Sequence, residues 1–94
     1  MQKEQYRLGI RVSGRVQGVG FRWFIATEAN RLGLRGWVRN IADGSVELRA
    51  EGPPNVLQTF RRRVEQGPPG ARVSNVVELA ESDEILPARF EIVG

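Results

Sequence analysis

The chain has 94 residues, a net charge of +3 and 40% hydrophobic residues, which suits one small domain with a single core. It holds no cysteine and no histidine, which excludes disulfides, thiolate chemistry, zinc–thiolate sites and phosphohistidine, and removes the commonest general base. No segment reads as a signal peptide or membrane span, so a cytoplasmic protein with no membrane partner is expected, and its arginine-rich positive excess favours anionic ligands without naming one.

Residues 5–13 alternate apolar and polar, with Tyr6, Leu8, Ile10 and Val12 on one side, and predict a strand with one buried face. The stretch Gly14-Arg15-Val16-Gln17-Gly18-Val19-Gly20-Phe21-Arg22 follows, and the rest of the chain is organised around it. Its glycines let backbone N–H groups converge on one space, and the helix that begins at its end adds partial positive charge. Arg22 brings a planar fork of donors to the same place. Such a construction suits a phosphate. The phosphate loop of nucleotide hydrolases is excluded because Phe21-Arg22, not Lys-Ser or Lys-Thr, follows Gly20. The dinucleotide fingerprint is excluded because Trp23 stands where its third glycine would be. The plainer reading is a tight strand-to-helix turn with exposed arginines.

The spacing of Phe21, Phe24, Ile25, Ala29 and Leu32 predicts a helix over about 21–32, ended by Gly33 with Leu34 as its apolar follower. Trp23 and Phe24 could form a base-stacking pair, but Phe24 lies on the apolar stripe and reads as core. Residues 35–41 and 45–51 predict two strands joined by a hairpin at Ala42-Asp43-Gly44. Val46, Leu48 and Ala50 face inward and Glu47, Arg49 and Glu51 face water. Asn40 shares the inner face of its strand with Val38. It either prepares the turn or sits at the strand's open end beside a ligand.

Gly52-Pro53-Pro54-Asn55 starts a second helix at about 54–66, buried through Val56, Leu57, Phe60 and Val64 and ended by Gly67-Pro68-Pro69. The run Arg61-Arg62-Arg63 reads as a solvated face rather than a nucleic-acid contact. In residues 71–80 the apolar positions Val73, Val76, Val77 and Leu79 do not keep one parity, so a strand with a bulge is expected. A polar loop at about 81–88 leads to a short last strand with Phe90 and Ile92 inward. The order is β-α-β-β-α-β plus a terminal strand: an α+β, ferredoxin-like sandwich, its sheet mostly antiparallel and both helices on one face.

In these motifs the chain resembles the acylphosphatase family. The resemblance is carried by Gly14 to Arg22, by Gly36-Trp37-Val38-Arg39-Asn40 with Asp43-Gly44, by Gly67-Pro68 and by the closing Phe90-Glu91-Ile92, so it spans nearly all of the 94 residues as one acylphosphatase-like unit. It implies hydrolysis of the carboxyl–phosphate bond of small acylphosphates, without metal or other cofactor. It also implies that Arg22 and Asn40 are the catalytic pair and that Arg15 to Gly20 cradle the phosphate. Inorganic phosphate and other anions would then inhibit, and a monomer is expected. Two positions depart from the family: Ile41 follows Asn40 where many members have threonine, and the chain ends Val93-Gly94 rather than in a basic or aromatic residue.

An acylphosphate is already activated, so such a site has only to hold the phosphoryl group, stabilise developing charge and place a water in line. Asn40 can orient that water but cannot deprotonate it, which leaves a substrate phosphate oxygen as the proton acceptor. The rival readings are non-catalytic ferredoxin-like modules. RNA-binding domains of this order carry an aromatic strand motif that is absent here, and metal carriers need a Cys-x-x-Cys that is also absent. A domain that senses a phosphorylated metabolite would keep the loop without turnover.

Overall fold

The period-two and period-3.6 patterns both resolve into regular elements. The structure, a computed structural model, describes residues 5–94. Strand β1 (Tyr6–Arg15) is followed by α1 (Phe21–Arg31), β2 (Arg35–Asn40), β3 (Val46–Gly52), α2 (Pro54–Gln66), β4 (Arg72–Glu78) and the two-residue β5 (Glu91–Ile92). The sheet order is β4-β1-β3-β2-β5, antiparallel throughout except where β5 runs parallel to β2. This is the ferredoxin-like α+β arrangement expected from the element order.

Ile10, Val12, Val38, Val46, Leu48 and Ala50 turn to one face of the sheet. There α1 contributes Phe21, Ile25 and Ala29, and α2 contributes Leu57, Phe60 and Val64. Fully burying each larger side chain of this set is worth roughly 1.5–3 kcal/mol, so the faces pair without ambiguity. Phe24 and Leu32 pack against this core while remaining partly exposed. Helix α1 stops where Gly33 N donates to Asn30 O at 3.1 Å and Leu34 N to Ala29 O at 2.9 Å, with Leu34 buried behind the turn.

Some segments differ from the sequence expectation. Strand β1 runs two residues further, to Arg15, because β4 follows it around a register shift. Ser13 pairs with Asn75 and Gly14 with Val73, so Ser74 is the extra residue. That bulge puts Val73 and Val76 on the core side together, which accounts for the broken parity. Glu47 does not face water. It is 6% exposed, because Arg11 of β1 and Arg39 of β2 flank it in register and close over it.

Residues 79–90 are more than a polar loop. They cross the helix-free side of the sheet from β4 to β5, pinned to it by side-chain donors. Arg49 donates to Ala80 O at 2.9 Å, Arg7 to Ser82 O at 2.8 Å and Arg35 to Leu86 O at 3.1 Å, while the Trp37 indole donates to Glu84 at 2.9 Å. The strap delivers β5 to the far edge. Phe90 is buried there, its ring edge-on to Phe60 at 5.9 Å. Ile92 lies on the core side beside Val38 but stays 44% exposed.

Candidate active site

Strands β1 and β2 are both antiparallel to β3, which lies between them, so they point the same way. Their C-terminal ends therefore meet at one edge of the sheet. Val46 of β3 faces Val12 on one side and Asn40 on the other. The glycine-rich stretch leaves β1 just beyond Val12 and turns back into α1 at this edge. Gln17 ties the two together: its amide nitrogen donates to Ile41 O and to Ser45 O, both at 2.9 Å. The hairpin behind Asn40 is itself braced by Asp43, whose carboxylate accepts from Ser45 Oγ and, at 2.9 Å, from Ser45 N. Those bonds hold the Asp43 carboxyl below its usual range.

Gly18 and Gly20 both have φ of 75°, in the left-handed region that other residues rarely adopt. A Cβ at either would meet nothing, so backbone conformation rather than space selects glycine. Gly20 caps α1 with no side-chain hydrogen bond, and the first turn carries no acidic residue. The orphan N–H groups of that turn are left without a carboxylate competitor.

A pocket of about 170 Å³ opens at this edge. Val16, Gln17, Gly18, Gly20, Arg22 and Asn40 wall it, with Phe21, Trp23 and Ile92 completing the lining. Arg15 and Val19 are not part of the wall. Arg15 belongs to β1, exposed and opposite Arg72, and Val19 packs toward the core. Among the described residues no carboxylate pairs with Arg22. Asn40 lies on the face of Val38, as expected, and its Oδ1 is buried with no hydrogen-bond partner among the described residues. A buried amide oxygen left so costs about 1–3 kcal/mol unless something outside the chain satisfies it. Among the described residues no group of three or more carboxylates gathers as a metal would require.

A larger hollow of about 440 Å³ lies at the opposite end of the sheet, walled by Arg7, Gly9, Arg49, Leu79 and Ser82 among others. Its arginines are already engaged with the strap, so the smaller pocket is the one with chemistry to offer. The sequence reading included Gln17 for its backbone but missed its side-chain tie, and it placed Ile92 inward without seeing it at the pocket. Neither position carries a spacing signal, because both depend on contacts across the sheet.

The family model for acylphosphatase matches residues 8–92. The chain belongs to the acylphosphatase family. It is an enzyme of that type, a hydrolase of acylphosphates. A relative named acylphosphatase from Thermococcus kodakarensis is 46% identical over 91 residues, covering 97% of this chain and 99% of its own. The crystal structure of acylphosphatase from Bacillus subtilis superposes with a TM-score of 0.83 at 44% identity, covering 97% of this chain and all of that one. An acylphosphatase structure from Coxiella burnetii gives 0.81 at 36% identity, over 95% of this chain and 93% of that one. Among the described residues no helix is long and apolar enough to cross a membrane.

Proposed function

We propose that the pocket between the glycine-rich loop and β2 binds the phosphoryl group of an acylphosphate, and that Arg22 and Asn40 carry out its hydrolysis. Backbone amides of the loop residues that wall the pocket, Val16, Gln17, Gly18 and Gly20, and the Arg22 guanidinium hold the phosphate oxygens. The Asn40 side chain accepts a hydrogen bond from a water and orients it opposite the carboxylate leaving group. The water oxygen bonds to phosphorus as the phosphorus–oxygen bond to the acyl group breaks, and that bond's electron pair leaves with the carboxylate. One of the water's protons passes to a non-bridging phosphate oxygen and the other stays on the attacking oxygen, giving dihydrogen phosphate. No protein base is needed, and an amide could not serve as one.

The observation that carries this reading is the buried, partnerless Oδ1 of Asn40 in a pocket it shares with an unpaired arginine. The site has an acceptor for a water and a cation for a phosphate, with neither used by the fold. Arg22 at the second position of α1 also adds its charge to the amides of that terminus. The absence of histidine and cysteine fits a leaving group that departs without protonation.

Two comparisons test the reading. Acetyl phosphate is expected to be hydrolysed while a phosphomonoester such as p-nitrophenyl phosphate is left essentially untouched, since an alkoxide or phenoxide needs more help to leave. Across substrates whose phosphate groups differ in acidity, the acid limb of the rate profile should move with the substrate. A limb that stays put, at the pKa of a protein group, would rule out the substrate oxygen as proton acceptor.

A further inference from the structure

We propose that Trp23 and Ile92 form an apolar shelf that receives the acyl group, so that the preferred substrates are phosphates of uncharged, apolar carboxylic acids. The inference rests on the reading that the neighbouring pocket holds the phosphoryl group. That pocket, at about 170 Å³, is smaller than the roughly 300–1,000 Å³ of sites that enclose a whole organic ligand. The acyl portion must therefore lie at its mouth.

Two large hydrophobic side chains are exposed in that lining. Trp23 is 69% exposed and stands one residue past Arg22 on the first turn of α1. Ile92 is 44% exposed and pairs with Val38, two residues before Asn40 and on the same face. Only five large hydrophobics are this exposed among the described residues, and these two lie together at one pocket. Their placement is fixed by backbone contacts rather than by chance proximity. The Asn30 side chain of α1 donates to Phe90 O at 3.1 Å and accepts from Phe90 N at 3.0 Å, and Val93 N donates to Val38 O at 2.9 Å. Those bonds fasten both sides of Ile92 against α1 and β2.

The chemistry of the lining sets the class of acyl group. Arg22 is its only charged residue, and the phosphoryl group engages it. An acyl group carrying its own carboxylate or ammonium would meet indole and sec-butyl surface and lose hydration without a partner. An alkyl or aryl group would cover apolar surface that otherwise faces water.

Acetyl, propionyl and butyryl phosphate test the shelf, because their leaving acids are nearly equal in strength and differ only in apolar length. On a half-open shelf, kcat/KM of the parent is expected to rise by about twofold per methylene. Trp23→Ala and Ile92→Ser should each flatten that rise, lowering kcat/KM most on butyryl phosphate and least on acetyl phosphate. Trp23→Phe should retain most of it. A flat series in the parent, a rise that survives both replacements, or an equal loss on all three substrates would each overturn the shelf. The hydrolytic reading is judged separately. If Asn40→Ala keeps its turnover but Trp23→Ala still flattens the series, the water-positioning role falls and the shelf stands.

Discussion

Arginines on the helix-free face of the sheet and the arginine at the loop edge differ in one respect. On the helix-free face of the sheet, Arg11 and Arg39 close on Glu47 at 2.6 and 3.1 Å, across three strands in register. At the loop edge, among the described residues, Arg22 has no carboxylate and Asn40 Oδ1 has no donor. Burial pushes the Glu47 carboxyl up, but the hydrogen bonds and charges of Arg11 and Arg39 outweigh it and the net shift is down. Arg11 is raised in return, first by its hydrogen bond to Glu47. The open face therefore uses its arginines to join strands. The loop edge keeps its arginine available, which is what an anion site requires.

The largest effect that separates the regions is expected at Asn40. Asn40→Ala should lower kcat by at least about 10²-fold, the loss expected of one preorganised group, roughly 3 kcal/mol. KM and phosphate inhibition should change little, since the water matters most in the transition state. The unfolding midpoint should hardly move, because the removed oxygen has no partner in the fold. A destabilised variant with near-normal kcat would make Asn40 a turn residue and end the contrast.

Next in size is the response to losing a guanidinium fork. Arg22→Lys keeps the charge but should weaken inhibition by inorganic phosphate about tenfold, the loss of roughly one charge-assisted hydrogen bond, and raise KM with it. Arg39→Lys, on the paired face, should leave the inhibition constant where it is. Equal phosphate affinity in Arg22→Lys and the parent would remove Arg22 as the ligand.

Glu47→Gln should show the converse: about 1–2 kcal/mol lost in denaturant unfolding at neutral pH, with kcat/KM unchanged. The sign with pH follows from a folded pKa below the usual 4.5. The stabilisation is present above about pH 4.5 and disappears as pH falls through the lower folded value, so the parent should lose more stability than Glu47→Gln on acidification. Matching acid profiles would mean the triad adds nothing. The smallest effect is none at all. Activity should survive a chelator and, on a substrate whose phosphate does not itself titrate there, stay nearly flat from about pH 5 to 8, since no side chain with an ordinary pKa in that range is present. Loss on chelation, restored by a divalent ion, would contradict this.

Much of the architecture was legible because it is local. Alternation in β1 and β3, the 3.6-residue stripes of α1 and α2, Asp43-Gly44 at the hairpin and Gly33 after α1 each follow from one stretch of chain and its own sterics. The bulge at Ser74 was legible as a defect in parity, though not in position, because its place depends on how Gly14 meets β4. The burial of Glu47 was not legible at all. Its neighbours Arg11 and Arg39 lie 36 and 8 residues away, and only the register of three strands puts them on either side.

The candidate site divides in the same way. Sequence by itself determined the loop, with its left-handed glycines, its helix N-terminus and its arginine, because a turn, a dipole and a charge can all be read from adjacent residues. It also singled out Asn40 as a polar residue on an apolar face. Only the tertiary structure decided that Asn40 and Arg22 line one pocket, that the Gln17 side chain ties the loop to the hairpin, and that the strap brings Ile92 beside Trp23. Those are meetings between segments far apart in the chain. They are set by strand order and register, which arise from packing the whole core and are written in no single stretch.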